Sequence, residues 1–226
     1  INNNSTLTHL LPIQIISPDK GFIVGGAPKL KRSYLDWGVF HMEPTMLKTY
    51  KSFSRALKNT NSLFSGGDNK QVDCWLFELA TLSVEISLAR TNYIERLSKK
   101  MEQPLLLKTN KSFNLNKPLS FLFNSGWTRD INYLDQETIY RFLKKNINNF
   151  TKVKHLNYGP HKATIDFFLD NQTESCFSRG EQKTLSIMFW VAQVLMLTDA
   201  GVFPVVLIDD VSSELDKQKT NLVLDC

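Results

Sequence analysis

The chain predicts an α/β protein, with a parallel-sheet core and an antiparallel helical-hairpin arm. Three stretches carry this reading. "VVLIDD", Val205 to Asp210, is an unalternating apolar strand closed by two carboxylates. Such strands suit the inside of a mainly parallel sheet, where both faces are covered. Two long segments, one opening at Pro44 and one after Lys70, repeat apolar residues in steps of three and four around the polar turn "SGGDNK". That is the pattern of two amphipathic helices in a hairpin. "FSRGEQKTLSIMFW", Phe177 to Trp190, sets a polar, sharply turning start in front of an apolar helical run.

Taken in order, "LLPIQIIS" (Leu10 to Ser17) reads as a buried strand ended by Pro18-Asp19. Gly25-Gly26 and Pro28 mark a turn, followed by the basic cluster "KLKR", Lys29 to Arg32. Met46, Tyr50, Phe53, Leu57 and Phe64 define the first arm helix; Trp75, Leu79, Leu82, Ile86, Ala89, Tyr93 and Leu97 define the second, which Pro104 ends. The expected seam uses Tyr50, Phe53, Leu57, Leu79, Leu82 and Ile86. "PLLLKTN" and "PLSFLFN" read as strands, 135–149 as a helix and "ATIDFFLD" as a strand. Leu185, Met188, Phe189, Ala192, Leu195 and Met196 continue a buried helix beyond Gly180. No internal repeat is evident.

Composition narrows the class. With 226 residues, 42% of them hydrophobic, the chain can bury a substantial core in one or two domains. The longest apolar stretch, Ile187 to Leu197, is too short to cross ~30 Å of hydrocarbon. With no signal-like start, the chain reads as a soluble, cytoplasmic protein. Cys74, Cys176 and Cys226 have no paired spacing, which argues against a disulfide framework or a zinc site. The net charge of +5 is uneven: residues 1–60 hold eight Lys/Arg against three Asp/Glu, and residues 171–226 hold four against eight. A basic front favours a polyanion such as nucleic acid.

Two motifs carry chemistry. Ligands of open parallel sheets bind at the carboxyl ends of strands, where Asp209 and Asp210 stand. One carboxylate there can hold Mg²⁺ and the next can orient or deprotonate a water; alternatively, both simply cap the turn "VSSELD". In "FSRGEQ", a helix starting near Gly180 exposes unpaired amides at the positive end of its dipole. Ser178 offers a hydroxyl, and Gly180 lets the backbone approach an anion. This is either ordinary capping or a phosphate site.

Together the motifs resemble the ABC-type ATPase head. Ser178-Arg179-Gly180-Glu181 resembles its signature, "VVLIDD" its Walker B strand and "SSELD" its D-loop. Within that class the chain resembles the RecF family of recombination mediators. "SPDKGFIVGGAPKLKRSYLDWGVFHMEP" (Ser17 to Pro44) and "GPHKA" (Gly159 to Ala163) resemble segments specific to it, and the hairpin fits its arm. The chain departs from the general head pattern in two residues: Arg179 stands where transporter signatures have glycine, and Asp210 where many heads have Glu. No G-x-x-x-x-G-K-[ST] occurs in the sequence, and no strand with the switch histidine follows "SSELD". The expectation is a partial head lacking the Walker A lobe and the carboxyl tail, inactive alone but with a weakly ATP-hydrolysing parent.

The resemblance implies ATP and Mg²⁺ as cofactors. It gives Ser178, Gly180 and Glu181 nucleotide contacts across a dimer, and assigns Asp209 to Mg²⁺, Asp210 to water activation, Asp216 to the D-loop contact and Gln14 to the Q-loop. It implies binding of single- and double-stranded DNA at gaps, ATP-dependent homodimerisation, and RecR, RecO and RecA as partners in RecA loading. Lys29, Lys31 and Arg32 are the expected DNA contacts. The expected domains are 1–42 and 156–226 for the ATPase and 43–155 for the arm with its strands. Two other classes stay open: an ABC transporter's ATPase subunit, and a non-catalytic DNA-binding or scaffold module.

Overall fold

The computed structural model describes residues 11–16, 21–66, 71–102 and 118–208. The chain divides into two compact units. One comprises Ile1–Pro44, Tyr93–Leu122 and Ile165–Cys226; the other comprises Thr45–Asn92 and Phe123–Thr164.

The first unit is built on a parallel pair, β1 (Ile13–Ile16) and β5 (Val205–Ile208). Ile13 pairs with Val205 and Ile16 with Ile208, so the two carboxyl ends are level. Gln14 and Ile16 are buried, while Ile13, Ile15, Val205 and Leu207 are exposed. Behind the buried face run α1 (Pro28–Met42) and α6 (Arg179–Asp199). A second sheet has the order β2 (Leu119–Asn124), β3 (Thr164–Leu169), β4 (Gln172–Thr173). Phe121, Phe167 and Phe189 cluster beneath it, with ring centroids 4.9–6.4 Å apart.

Helix α1 was not expected. Pro28 opens its first turn, where a missing N–H costs nothing, and "KLKR" follows it directly. Its buried stripe is Lys31, Tyr34, Leu35, Gly38 and Val39. Tyr34 Oη donates to the Phe189 carbonyl at 2.7 Å. The fully buried Gln193 Nε2 donates to the Tyr34 carbonyl at 3.0 Å and to Tyr93 Oη at 2.6 Å. A Cβ on Gly38 would lie 2.3 Å from Tyr93 Oη, so glycine is what lets this network sit against the helix.

The second unit holds the hairpin of α2 (Met46–Gly66) and α3 (Val72–Met101), the last turns of α3 belonging to the first unit. Thr49 Oγ1 near the start of α2 donates to the Glu85 carboxylate of α3 at 3.0 Å, so the helices run antiparallel. Phe53, Leu79 and Ile86 are buried as expected; Tyr50, Leu57 and Leu82 are only half-buried. The stripe on α3 passes through Leu76, Ala80, Ser83 and Ser87 instead. Small residues let helix backbones approach closely, and a count of apolar residues misses them.

The expected helix at 135–149 is two helices, α4 (Gln136–Lys145) and α5 (Ile147–Val153), with Asn146 between them. The Asp135 carboxylate accepts from the Thr138 amide at 2.8 Å, an N-cap for α4. Phe64, Phe142, Phe150 and Tyr158 pack as aromatic pairs around these helices. The "GPHKA" turn is held by Arg90, which donates to the Pro160 carbonyl at 2.7 Å, and by Gly159 N–H on the Gly126 carbonyl at 2.9 Å. "PLLLKTN" lies outside the described residues.

Candidate functional site: the start of helix α6

Helix α6 begins with a capping box. Ser178 Oγ accepts from the Glu181 amide at 3.3 Å, while the Glu181 carboxylate accepts from the Ser178 amide and hydroxyl, both at 2.8 Å. The S-x-x-E spacing encodes this reciprocal pair. Ser178, Arg179 and Gly180 are exposed, and a Cβ on Gly180 would meet nothing within 4 Å. The amides that follow the cap point outward at the positive end of the dipole. Capping and anion binding are therefore compatible here. The box fixes the helix start and leaves its Arg179-Gly180 edge open to an anion held from elsewhere.

The loop at Val24 to Ala27 is fastened beside this helix. The Val24 amide donates to Ser186 Oγ at 3.1 Å. The Gly25 amide donates to the Glu174 carboxylate at 2.7 Å, with φ +75° at Gly25. Gln182 Nε2 reaches back to the Phe177 carbonyl at 3.3 Å. A cavity of about 570 Å³ opens here, bordered by Gly25, Gly26, Arg179 and Gln182.

Lys31 belongs to this fastening, and its expected phosphate contact is corrected. The side chain is buried. Its ammonium pairs with the Glu174 carboxylate, donates to the Ile165 carbonyl at 2.8 Å and lies 5.2 Å from the Phe167 ring centroid. A cation committed in this way has no face left for DNA. Lys29, two residues back, is exposed and Arg32 is half-buried. A helix turns successive residues by about 100°, so three neighbours in sequence do not share one surface.

Gln14 sits inside β1, level with Val206 and two residues before the strand's end. It is buried, and it lines a cavity of about 300 Å³ with Ser33, Tyr34, Trp37 and Gln193. Asp209, Asp210 and Asp216 lie outside the described residues; β5 ends at Ile208, immediately before Asp209. Among the described residues no group of three or more His, Cys, Asp or Glu could hold a metal ion. Glu174, Gln182 and Ser186 were missed from sequence. Their partners are Lys31 in a helix that the apolar pattern did not reveal, the Val24–Gly25 loop before that helix, and the Phe177 carbonyl.

The parallel pair and the capped helix α6 that precedes β5 belong to an ABC-ATPase-like fold. Two solved structures show the same fold over the whole chain and 62% of theirs. These are the recombination mediator protein RecF-ATP in the RecFOR pathway (TM-score 0.85) and its RecF-ATPrS counterpart (0.84), each at 22% identity. The particular likeness is to RecF in sequence as well. The DNA replication and repair protein RecF of Actinobacillus succinogenes is 33% identical over 228 residues, covering 98% of this chain and 60% of that protein. RecF of Shigella flexneri serotype 5b is 32% identical over 220 residues, covering 96% and 58%. The resemblance drawn from the signature, the Walker B strand and the 17–44 segment is borne out. The chain spans about 60% of the length of these relatives. No protein-family model matches it. Among the described residues no helix is long and apolar enough to cross a membrane.

Proposed function

We propose that the complete protein is a cytoplasmic, ATP-dependent, DNA-binding recombination mediator acting at single-strand gaps, where it promotes RecA loading with RecR and RecO. The observation that carries this is 33% identity to a RecF along 98% of the chain, across both compact units. Residues 1–44 and 165–226, with the end of α3, serve as the ATPase unit, and the hairpin of α2 and α3 serves as the arm.

Bound ATP would supply the phosphate chain and its hydrolysable bond, and Mg²⁺ would neutralise phosphate charge. Ser178, Gly180 and Glu181 contact nucleotide held by a second copy of the protein. The open edge at Gly180 and the outward amides of α6 support this role. Asp209 holds Mg²⁺, Asp210 orients the attacking water and Asp216 contacts the second copy. Gln14 serves the Q-loop. Lys29 and Arg32 remain candidate DNA contacts.

The test uses the complete protein. Ser178→Arg is expected to leave ATP binding by the monomer intact while abolishing ATP-dependent dimerisation and turnover. Mixed with an Asp210→Asn variant, it forms one composite site with a normal signature and a normal Walker B strand, and activity returns. Loss of nucleotide binding by the Ser178→Arg monomer would place Ser178 in its own subunit's site and overturn the assignment.

A further inference from the structure

Helix α2 has a composition that the arm's packing does not require. Its 21 residues include no Asp or Glu. Every fully exposed position on it is Lys, Arg, Ser or Gly: Lys48, Lys51, Ser54, Arg55, Lys58, Ser62, Ser65 and Gly66. The cations recur in steps of three, four and three. At about 100° per residue they fall within roughly 80° of arc, on the side away from Phe53, Ala56, Thr60 and Phe64. None of the four forms an ion pair with a described residue. Solvated helix faces commonly mix both signs at i and i+4, which stabilises the helix by a few tenths of a kcal/mol; α2 forgoes that.

We propose that this face of α2 binds the phosphate backbone of DNA. The inference rests on the DNA-binding reading above and assigns that role to the arm. From Lys48 to Ser62 the exposed positions carry cations and hydroxyls and no carboxylate over about 21 Å, and a duplex presents one negative charge per about 1.7 Å of axis. Lys, Arg and Ser are side chains that position proteins on phosphates. Protein interfaces are depleted in Lys and Ser and centre on apolar or aromatic anchors, and α2 exposes none. The neighbouring α3 makes the contrast: within the same unit it exposes Asp73, Glu78 and Glu85 together with Phe77 and Leu88.

The complete protein is titrated with duplex and gapped DNA between about 50 and 200 mM salt. One variant carries Lys48→Gln, Lys51→Gln, Arg55→Gln and Lys58→Gln. A control removes as many exposed cations from the same unit, Arg141, Lys145, Lys152 and Lys154, also to Gln. If all four α2 cations contact phosphates, the slope of log K against log salt becomes shallower by about 3.6 in the first variant. The control retains most of its slope, and circular dichroism shows both variants folded. A change below about 1 in the α2 variant, or an equal change in both, overturns the proposal. Unchanged DNA binding with lost retention of polyglutamate would assign the face to an acidic protein and also overturn it. If the parent protein binds no DNA at all, the functional reading itself fails.

Discussion

Lys31→Met separates a buried structural lysine from a DNA contact. Methionine keeps the aliphatic stem near Phe167 and deletes the charge. The Lys31 side chain is 4% exposed and that of Glu174 is 19% exposed. Removing one partner of a fully buried pair costs about 3–5 kcal/mol, because the other charge is stranded. Glu174 keeps some access to water and the Gly25 amide, so the expected loss is about 2–3 kcal/mol. In urea denaturation the midpoint falls by about 1 M with the slope unchanged. Removing both charges in Lys31→Met/Glu174→Leu restores part of the loss, since no ion is then left unpaired. The salt dependence of DNA binding by the complete protein stays as in the parent. A loss below about 0.5 kcal/mol together with a salt slope shallower by about 1 would refute the reasoning. Lys31 would then be facing phosphate and not Glu174.

Two further outcomes are expected in the first unit. Gly38→Ala should lower the melting temperature, because a Cβ 2.3 Å from Tyr93 Oη and 2.6 Å from Gln193 Nε2 overpacks a fixed network. Overpacking costs about 1–3 kcal/mol, more than the ~1 kcal/mol gained in helix propensity; a rise would show that the network yields. The second outcome is alkaline. Burial pushes the Tyr34 and Tyr93 phenols above their ordinary value of 10.0. The unfolded chain releases these protons near pH 10 and the folded chain keeps them, so their stabilisation is complete below pH 10 and is lost as pH rises above it. The slope is about 1.4 kcal/mol per pH unit for each phenol. Denaturation between about pH 9 and 11 should show a shallower decline in Tyr34→Phe/Tyr93→Phe than in the parent.

Legibility from sequence depended on whether chemistry and periodicity coincided. The cap of α6 was readable because Ser178 and Glu181 stand at the spacing that reciprocal capping demands. The hairpin was readable because Phe53, Phe64, Leu79 and Ile86 are both apolar and inward. Helix α1 was not, although its buried positions 31, 34, 35, 38 and 39 form a regular helical stripe. A lysine and a glycine occupy two of them, and an apolar count sees only Tyr34, Leu35 and Val39. The same gap hid Glu174: nothing in "TESCFS" says that its carboxylate meets a lysine 143 positions earlier. The DNA assignment failed at Lys31 because sequence adjacency was read as spatial adjacency, and one turn of helix divides the cluster. On α2 the charged residues recur at helical spacing, but attention to the apolar seam left the opposite face unread.

The pairing of Ile13 with Val205 also governs how the molecule is made. The strand at Ile13–Ile16 bonds to the strand at Val205–Ile208, and a parallel pair cannot be closed by a tight turn. During synthesis β1 emerges long before β5, and this pairing waits until the intervening chain has been made. The second unit's hairpin is local and can form in that interval. Its collapse replaces a long flexible excursion with a compact one, so less loop entropy remains to be lost when β5 arrives. Mutations that slow the hairpin should therefore appear as delayed or misdirected assembly of the sheet, even where they touch neither strand.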